Sequence, residues 1–309
     1  MLKAPIAFFA YKRPEHARKS LESLSQNEGA KDSELFIFCD GAKGPEDEQA
    51  VKETREVVKN QQWCGKVNII ERQKNIGLAQ SITSGVTQLC EDYGRVIVVE
   101  DDLILSPYFL TYMNLALDKY QDIERVMHIA GYMWPVKEVN LLPKAFFLSN
   151  TACWGWATWE RAWQHFKLEP ENLLEQVNLH HSKFDFNFLG TRPYYQMLEK
   201  TAQGEIESWA ICWYATIFLN NGLSLYPKQS LVQNIGFDGT GSNCSISSNF
   251  DTNLSQENNL IFPEEINEKK QYKQVITNFF YKINQGNNKK YSWFKKILNK
   301  IKTKVSAKR

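Results

Sequence analysis

The first hundred residues alternate between short, continuously apolar runs and longer segments whose apolar residues recur at helical spacing. Four of the runs have the length of buried strands; they lie at 6–10, 35–39, 67–70 and 96–99. The segments between them predict three helices, over about 14–26, after Pro45 and from residue 78 to residue 93. Strands that are buried on both faces and alternate with helices form parallel sheets. This half therefore predicts an α/β fold with a mostly parallel sheet and helices on both faces.

The pattern changes after about residue 131, where aromatic residues cluster and the strand–helix alternation ends. The aromatic segments at 154–159 and 207–213 predict loops and helices, and a stretch rich in Gly, Ser and Asn at 238–260 predicts a long loop. A final helix is predicted over about 264–284. We divide the chain accordingly into a body over 1–262, made of halves 1–130 and 131–262, and a C-terminal extension over 263–309.

The overall charge hides an uneven distribution along the chain. The formal net charge is +2, but residues 289–309 hold nine Lys or Arg and no acid, which leaves a net charge of −7 on the rest. An acidic body argues against nucleic-acid binding, and it directs any anionic partner to the tail. The tail places its apolar residues on one helical face, as do helices that lie on anionic membranes. A solvated terminus is the alternative interpretation of this segment.

Cysteine usage and hydropathy bear on the cellular setting. The six cysteines are scattered without a CxxC pair, which favours free thiols in a reducing compartment. No segment approaches the ~18 consecutive apolar residues of a membrane span, and the apolar run near the N-terminus is too short for a signal peptide. We therefore expect a cytoplasmic protein, either free or peripheral at the inner face of the membrane.

Three carboxylates, Glu100, Asp101 and Asp102, directly follow the apolar run at 96–99 and are called the carboxylate triplet below. Open parallel sheets bind ligands at the carboxyl ends of their strands. Three adjacent anions repel one another unless a cation lies between them, and Mg²⁺ and Mn²⁺ prefer carboxylate and phosphate oxygens. A solvated turn in which Asp101 caps the next helix is the alternative, but the position at the strand end favours a metal site.

The triplet belongs to a longer motif, which reads Val99-Glu100-Asp101-Asp102-Leu103, then Ser106-Pro107-Tyr108-Phe109 and Tyr112. This motif resembles the metal-binding region of glycosyltransferases with the GT-A fold, the fold of nucleotide-diphospho-sugar transferases. It is most similar to that of the N-acetylglucosaminyltransferase I family and related bacterial sugar transferases. The resemblance implies that Asp102 binds Mn²⁺ or Mg²⁺ on the donor diphosphate, while Glu100 and Asp101 face the sugar and ribose of the nucleotide-sugar.

Three further loops resemble nucleotide-binding loops of the same family. Tyr11-Lys12-Arg13-Pro14 follows the first strand, Asp40 ends the second, and Asn75-Ile76-Gly77-Leu78 opens the third helix. The resemblance implies that Arg13 approaches the donor and that Asp40 reads the uracil edge, which favours a UDP-sugar. It also places Asn75 over the nucleotide. A turn-forming Asp and an ordinary surface Arg are the simpler alternatives.

Two segments of the second half also resemble parts of the family. Trp154-Gly155-Trp156-Ala157-Thr158-Trp159 is similar to its Gly-Trp segment, and Glu207-Ser208-Trp209 to its acidic-Trp segment, which carries the catalytic base. An inverting transfer needs a carboxylate to take the proton of the attacking hydroxyl, and the resemblance implies Glu207 for that role. Glu205 is close enough to compete, and a Glu at a helix N-terminus needs no catalytic explanation. Trp154, Trp156 and Trp209 are expected at the acceptor pocket, with a place in the core as the alternative.

The segment 234–243 resembles the late glycine-rich loop of these enzymes. Many relatives have a His after its Gly-Ser, available to the metal or the diphosphate, and this chain has Asn243 there. An Asn oxygen binds a hard cation, but less strongly than imidazole binds Mn²⁺. Four histidines have no ligand-like spacing to the triplet and are expected to be structural, namely His128, His165, His180 and His181.

The sequence thus predicts an inverting glycosyltransferase that moves a hexosyl or N-acetylhexosaminyl group from a nucleotide-sugar to a glycan or glycolipid. A bacterial polysaccharide or lipopolysaccharide pathway is the expected setting. One alternative is a sugar nucleotidyltransferase, but such an enzyme would have a basic, Gly-rich phosphate loop after the first strand, and the loop here has no Gly. The other alternative is a non-catalytic carbohydrate-binding protein that shares the fold.

Overall fold

The computed structural model of the 309-residue chain describes residues 3–180, 182–239, 248–258 and 260–285. Asn243, His181 and the basic tail, for which the sequence made predictions, lie outside these ranges. Among the described residues, no helix has the length and apolar character needed to cross a membrane.

The first half alternates strands with helices, as the apolar pattern predicts. Its elements are β1 (Ile6–Ala10), α1 (Pro14–Ser25), β2 (Glu34–Cys39), α2 (Glu48–Lys59), β3 (Lys66–Glu71), α3 (Leu78–Tyr93) and β4 (Arg95–Glu100). Pro14 begins α1, where its fixed φ and missing N–H carry no cost. Gly94 ends α3 in the left-handed region with φ of 75° and donates its N–H to the carbonyl of Cys90. The predicted elements of this half are confirmed.

The part of the chain after residue 100 has more strands than its sequence suggests. Its elements are β5 (Leu103–Leu105), α4 (Phe109–Lys119), β6 (Val126–Ala130), β7 (Ala145–Leu148), β8 (Trp156–Trp159), α5 (Glu160–Trp163), α6 (Pro170–His180), α7 (Lys183–Phe186), α8 (Tyr194–Ala202), α9 (Trp209–Leu219), β9 (Leu223–Pro227) and β10 (Val232–Asn234). A last helix begins at residue 270 and is described as far as residue 285. It starts six residues later than predicted and packs Ile276 and Phe280 into the core of the body.

The strands form one large sheet in the order β3-β2-β1-β4-β8-β6-β9-β7. The first four are parallel, and β9 is parallel to β6, whereas β8 is antiparallel to both β4 and β6 and β7 is antiparallel to β9. The prediction of a mostly parallel α/β sheet is confirmed. The prediction of loops and helices for 154–159 was wrong over residues 156–159, which form the fully buried strand β8 in the middle of the sheet.

The sheet is covered on both faces, which explains the continuous apolar runs. Along β4, Ile97 and Val99 join one hydrophobic cluster, while Val96 and Val98 join the cluster on the opposite face. Successive residues of a strand point to opposite faces, so a strand between two helical layers must be apolar at every position.

A second, two-stranded sheet brings the late glycine-rich segment to the end of β4. Strand β10 pairs antiparallel with β5, with Asn234 opposite Leu103. Because β5 starts immediately after the carboxylate triplet, the chain that leaves β10 passes directly over the triplet. The backbone N–H of Ile235 donates to the carbonyl of Asp102 at 2.8 Å.

Candidate functional site

The carboxylate triplet lies at the carboxyl end of β4, next to the end of β1. Phe9 of β1 is in register with Glu100, so the loop after β1 runs beside the triplet. The backbone N–H of Tyr11 donates to Asp101 Oδ2 at 3.3 Å, and Arg13 Nη1 donates to Asp102 Oδ2 at 3.0 Å. Two loops that are 90 residues apart in sequence therefore meet here, as the parallel topology predicts.

The three carboxyl groups are held in a setting that disfavours their charge. Burial raises the pKa of Glu100 well above its ordinary range, and the charges of Asp102 and Asp101 raise it further. Burial and the neighbouring Asp102 raise the pKa of Asp101 to about 7. Burial also raises the pKa of Asp102, although Arg13 opposes this shift. Three ionised carboxylates would carry more negative charge than the one arginine neutralises, so a bound cation would stabilise the ionised form of the cluster.

The guanidinium of Arg13 faces the carboxylates of Asp102 and Asp238, and some of its N–H groups make no hydrogen bond to the described residues. Its Nη2 lies 3.8 Å from Asp238 Oδ1, which is an ion pair but not a hydrogen bond. Within the described residues, the buried Nε and Nη2 atoms have no hydrogen-bond partner. Buried donors without partners are rare in proteins, and an acceptor from a ligand would satisfy these two N–H groups.

Two residues at this site were missed by the sequence analysis. His16 Nε2 lies 3.1 Å from Asp238 Oδ2, so both join the ion pairs around Arg13. The spacing of Arg13 and His16 at i and i+3 places them on one face of the first turn of α1, and this signal was available in the sequence. Asp238 lies in the glycine-rich segment, but only the pairing of β10 with β5 shows that it reaches α1.

Gly236 lies directly against the Asp102 carboxylate. A Cβ at this position would lie 2.2 Å from Asp102 Oδ2 and 3.1 Å from Arg13 Nη2. The N–H of Gly236 donates to Asn234 Oδ1 at 2.7 Å, which fixes the turn. The segment can cover Asp102 and Arg13 only because residue 236 has no side chain.

Asp40 and Asn75 meet at the ends of β2 and β3. The Asp40 carboxylate accepts hydrogen bonds from the backbone N–H groups of Gly41, Ile76 and Gly77 at 2.9–3.3 Å, and Asn75 Nδ2 donates to the Gly41 carbonyl at 2.9 Å. Both side chains therefore shape the turn that precedes α3. The structure brings them together at the predicted edge of the sheet, and their contact with a nucleotide stays a prediction.

Glu207 reaches the same edge from the second half of the chain. Its Oε1 would lie 3.6 Å from a Cβ on Gly77, so the carboxylate faces the turn held by Asp40. Glu207 is exposed, and within the described part of the chain its carboxylate has no hydrogen-bond or ion-pair partner. Glu205 instead lies 3.7 Å from Lys200 in an exposed ion pair. The position beside Gly77 favours Glu207 over Glu205 as the reactive carboxylate.

The three tryptophans expected at the acceptor pocket have different environments. Trp156 is fully buried and stacks between His128 and Trp209, with ring centroids 5.3 and 5.5 Å away. Its expected place at a pocket surface was wrong, because β8 lies inside the sheet and α9 covers this face. Trp209 is 5% exposed and belongs to the same cluster. Trp154 is partly exposed and contacts Phe237 at 5.4 Å, so it alone retains an accessible face near the glycine-rich segment.

His128 is a core residue, as expected. Its Nδ1 accepts a hydrogen bond from Trp213 Nε1 at 3.2 Å, and its Nε2 lies 3.1 Å from the Ala152 carbonyl. The Trp donor fixes the tautomer, so Nε2 carries the proton and donates to Ala152. Burial lowers the pKa of His128 to about 3, which keeps the ring neutral.

The residues of the triplet fit a divalent cation that is shared with a ligand. Among the described residues, no group of three or more His, Cys, Asp or Glu side chains could hold a metal by itself. Mg²⁺ in nucleotide sites is ordinarily bound by one or two carboxylates together with phosphate oxygens and water, which requires no protein cage. The raised pKa values of Glu100 and Asp101 agree with that mode of binding, because a bound cation would favour the ionised carboxylates.

No protein-family model and no curated protein matches the chain. Among solved structures, it is similar to S. aureus TarS, with 13% identity and a TM-score of 0.30, over 42% of this chain and only 22% of the TarS chain. It is similar to a UDP-glucose pyrophosphorylase complexed with UDP-glucose, with 11% identity and a TM-score of 0.36, over 74% of this chain and 90% of that chain. A third is named as a nucleotide-diphospho-sugar transferase of Desulfovibrio desulfuricans G20, with 14% identity and a TM-score of 0.31, over 52% of this chain and 65% of that chain. The function has to be judged from the chain's own residues.

Proposed function

We propose that this protein is an inverting glycosyltransferase that moves a hexosyl or N-acetylhexosaminyl group from a nucleotide-sugar, a UDP-sugar in particular, to a hydroxyl of a glycan or glycolipid. The observation that carries the proposal is the meeting of the carboxylate triplet with Arg13 at the carboxyl edge of the sheet. The sequence resemblance to the N-acetylglucosaminyltransferase I family supports the same function, as does the position of Glu207 at this edge.

The donor diphosphate would bind between Arg13 and the triplet. Arg13 has buried N–H donors with no partner among the described residues, and charge-assisted hydrogen bonds to phosphate oxygens would satisfy them. The carboxylates alone would repel the diphosphate. We therefore assign Asp102 to a Mn²⁺ or Mg²⁺ ion, which when bound neutralises charge on the diphosphate. Asn243 is a weaker candidate ligand.

The nucleotide and the donor sugar would occupy the remainder of this edge. Glu100 and Asp101 are proposed to face the sugar and ribose, Asp40 the uracil, and Asn75 the nucleotide. Asp40 is fixed by the N–H groups of Ile76 and Gly77, and Asn75 is fixed by the carbonyl of Gly41, so the two side chains would form a preorganised surface.

The chemical step needs one base and one stabilised leaving group. The acceptor oxygen attacks the anomeric carbon and forms the new glycosidic bond, while the bond from that carbon to the diphosphate oxygen breaks. Glu207 takes the proton of the acceptor hydroxyl, and Arg13 stabilises the charge on the departing nucleoside diphosphate. A single displacement of this kind inverts the anomeric configuration and needs no covalent enzyme intermediate.

The cellular setting belongs to the same proposal. We expect action on a bacterial polysaccharide or lipopolysaccharide intermediate in the cytoplasm, with the basic tail at 289–309 in contact with anionic lipid. Vesicle co-sedimentation of the full chain and of a chain ending at residue 285 would test the membrane contact.

The proposal is tested by donor binding and by the identity of the released product. UDP-, GDP-, CMP- and dTDP-sugars are screened by thermal shift with and without Mn²⁺, and we expect the largest rise in Tm with a UDP-sugar and Mn²⁺. Asp102→Asn should abolish the effect of Mn²⁺, whereas Asp118→Asn, which removes a carboxylate paired with Arg95 outside the site, should retain it. Release of nucleoside diphosphate is expected. Release of inorganic pyrophosphate, or an unchanged Mn²⁺ effect in Asp102→Asn, would contradict the proposal.

A further inference from the structure

A surface cavity of about 320 Å³ opens beside Glu207. Three stretches of chain line it, the start of α6, the end of α8 and the link from α8 to α9. The lining residues are Leu168, Pro170, Thr201, Gly204, Glu205, Ile206, Glu207 and Ser208. All of them lie in the described part of the chain. The volume matches the lower end of small-molecule sites in proteins.

The wall formed by the α8–α9 link has a defined shape. Gly204 has φ of 72°, its N–H donates to the carbonyl of Thr201, and the N–H of Glu205 donates to the carbonyl of Lys200. This pair of bonds is a Schellman motif, which ends α8 and turns the chain sharply. Ser208 then caps α9 by accepting a hydrogen bond from the N–H of Ile211. Because the end of α8 and the start of α9 are both capped, the short link between the two helices holds the carboxylates of Glu205 and Glu207 beside the cavity.

The lining combines apolar surface with hydrogen-bond acceptors. Leu168 and Ile206 keep 41% and 38% of their surface exposed, and they present apolar carbon at the opening. The carboxylates of Glu205 and Glu207 and the hydroxyls of Thr201 and Ser208 can accept hydrogen bonds. Sugar rings offer apolar C–H faces and several hydroxyl donors, so this lining is complementary to a sugar.

The charge of the lining restricts which sugar can bind. No lysine or arginine is among the lining residues, and Lys200, which pairs with Glu205, offsets only one of the two carboxylates. An anionic sugar would be brought next to Glu207 without a cation to neutralise it, and like charges disfavour binding. A neutral sugar meets no such penalty.

We propose that this cavity binds the acceptor as a neutral, unphosphorylated sugar residue, with its reacting hydroxyl directed to Glu207. The inference rests on the proposed function and adds the chemical class of the acceptor. It also assigns Thr201, Glu205 and Ile206 to acceptor binding, and it places the acceptor beside the Glu207 carboxylate, which lines the cavity and lies next to the turn at Gly77.

The experiment is methyl-detected NMR of the full chain labelled at Ile, Leu and Thr. The neutral probes are the methyl glycosides of glucose, galactose, mannose and N-acetylglucosamine, each added up to about 100 mM, enough to detect millimolar dissociation constants. We expect at least one to shift the methyl signals of Leu168, Thr201 and Ile206. The charged probe, glucose 6-phosphate, should bind at least about tenfold more weakly.

Two tryptophan substitutions at the C-terminal end of α8, one inside the cavity lining and one outside it, provide the control. Thr201→Trp fills the cavity and should weaken glycoside binding by at least about tenfold, whereas Gln203→Trp, at an exposed position outside the lining, should leave it unchanged within about twofold. If no neutral glycoside shifts these methyl signals, or if glucose 6-phosphate binds as well as the neutral probes, the inference is wrong. An equal loss of binding in both variants would also overturn it.

The donor side is followed in the same samples through the methyl signals of Ile76 and Leu78. A UDP-sugar with Mn²⁺ should shift these signals in the wild type and in both variants. Donor binding without glycoside binding would overturn the cavity assignment and leave the proposed function standing. Glycoside binding without donor binding would overturn the proposed function and leave the assignment of the cavity standing.

Discussion

The position of Gly236 allows a sharp test of how the glycine-rich segment packs over the triplet. In Gly236→Ala the new Cβ would lie 2.2 Å from Asp102 Oδ2, and that contact is with a charged atom already bonded to Arg13. Either the segment moves away from the triplet or the Asp102 carboxylate turns and loses its bond to Arg13. Gly236 lacks a positive φ, so its backbone would not be strained by alanine.

The expected loss of folding stability follows from these two structural responses. Overpacking of a tight contact costs typically about 1–3 kcal/mol. Loss of a hydrogen bond between charged groups costs about 1.5–3 kcal/mol, and the side chains of Arg13 and Asp102 are only 15% and 16% exposed. We therefore expect the free energy of unfolding to fall by about 2 kcal/mol. Donor affinity should fall as well, because the guanidinium loses its alignment.

The assay is denaturant unfolding of the wild type and four variants, namely Gly236→Ala, Gly94→Ala, Asp102→Ala and the double variant Gly236→Ala/Asp102→Ala. Gly94→Ala is the matched control, since Gly94 has φ of 75° and open space around it, so alanine there costs only backbone strain of about 1 kcal/mol. The second comparison is Gly236→Ala in an Asp102→Ala background, where the clashing oxygen is absent and the substitution should cost little. An equal cost of Gly236→Ala in both backgrounds would refute the contact with Asp102 as its cause.

Two further predictions concern Glu207 and His128. Glu207→Gln should lower kcat by about 10²- to 10⁴-fold and leave donor binding intact, measured by nucleoside diphosphate release. Glu205→Gln alters the acceptor cavity but removes no base, so it should raise the KM for the acceptor and keep kcat within tenfold; the reverse order of the kcat losses would assign the base to Glu205. Because burial lowers the pKa of His128 to about 3, the folded state binds fewer protons there than the unfolded state below pH 6.5. The stability this residue contributes is present above pH 6.5 and is lost as the pH falls toward 3, at up to about 1.4 kcal/mol per pH unit. Denaturant unfolding from pH 7.5 to 4 should show a steeper loss of stability in the wild type and in the exposed-site variant His165→Asn than in His128→Asn, and equal slopes in all three proteins would contradict the prediction.

The first half of the fold could be predicted because its signals are local. Each strand between two helical layers must be apolar at every position, and each helix has a boundary residue such as Pro14 or Gly94. Strand β8 has no such signal, because its four residues Trp156–Trp159 become a strand only by pairing with β4 and β6 far away in sequence. Its aromatic composition was equally compatible with a loop.

The same distinction applies to the site. The meeting of Arg13 with Asp102 could be predicted from strand ends, because parallel strands bring their carboxyl ends to one edge. The approach of Asp238 to His16 could not, since it depends on the pairing of β10 with β5. Trp156 was misplaced for a related reason: composition cannot show which face of a sheet is covered.

The antiparallel strand in the middle of the sheet also governs how the chain can assemble. Strand β8 lies between β4 and β6 in the sheet, but its residues 156–159 are synthesised after both of them. The parallel strands up to β4 and the parallel pair β6 and β9 therefore cannot be joined in the order in which they are synthesised. Closing a loop of about 60 residues before the next contacts form is entropically costly, which slows folding. A ribosome-bound chain that ends near residue 130 would therefore present the open edge of β4 to other chains, and it would need β8 to cover that edge.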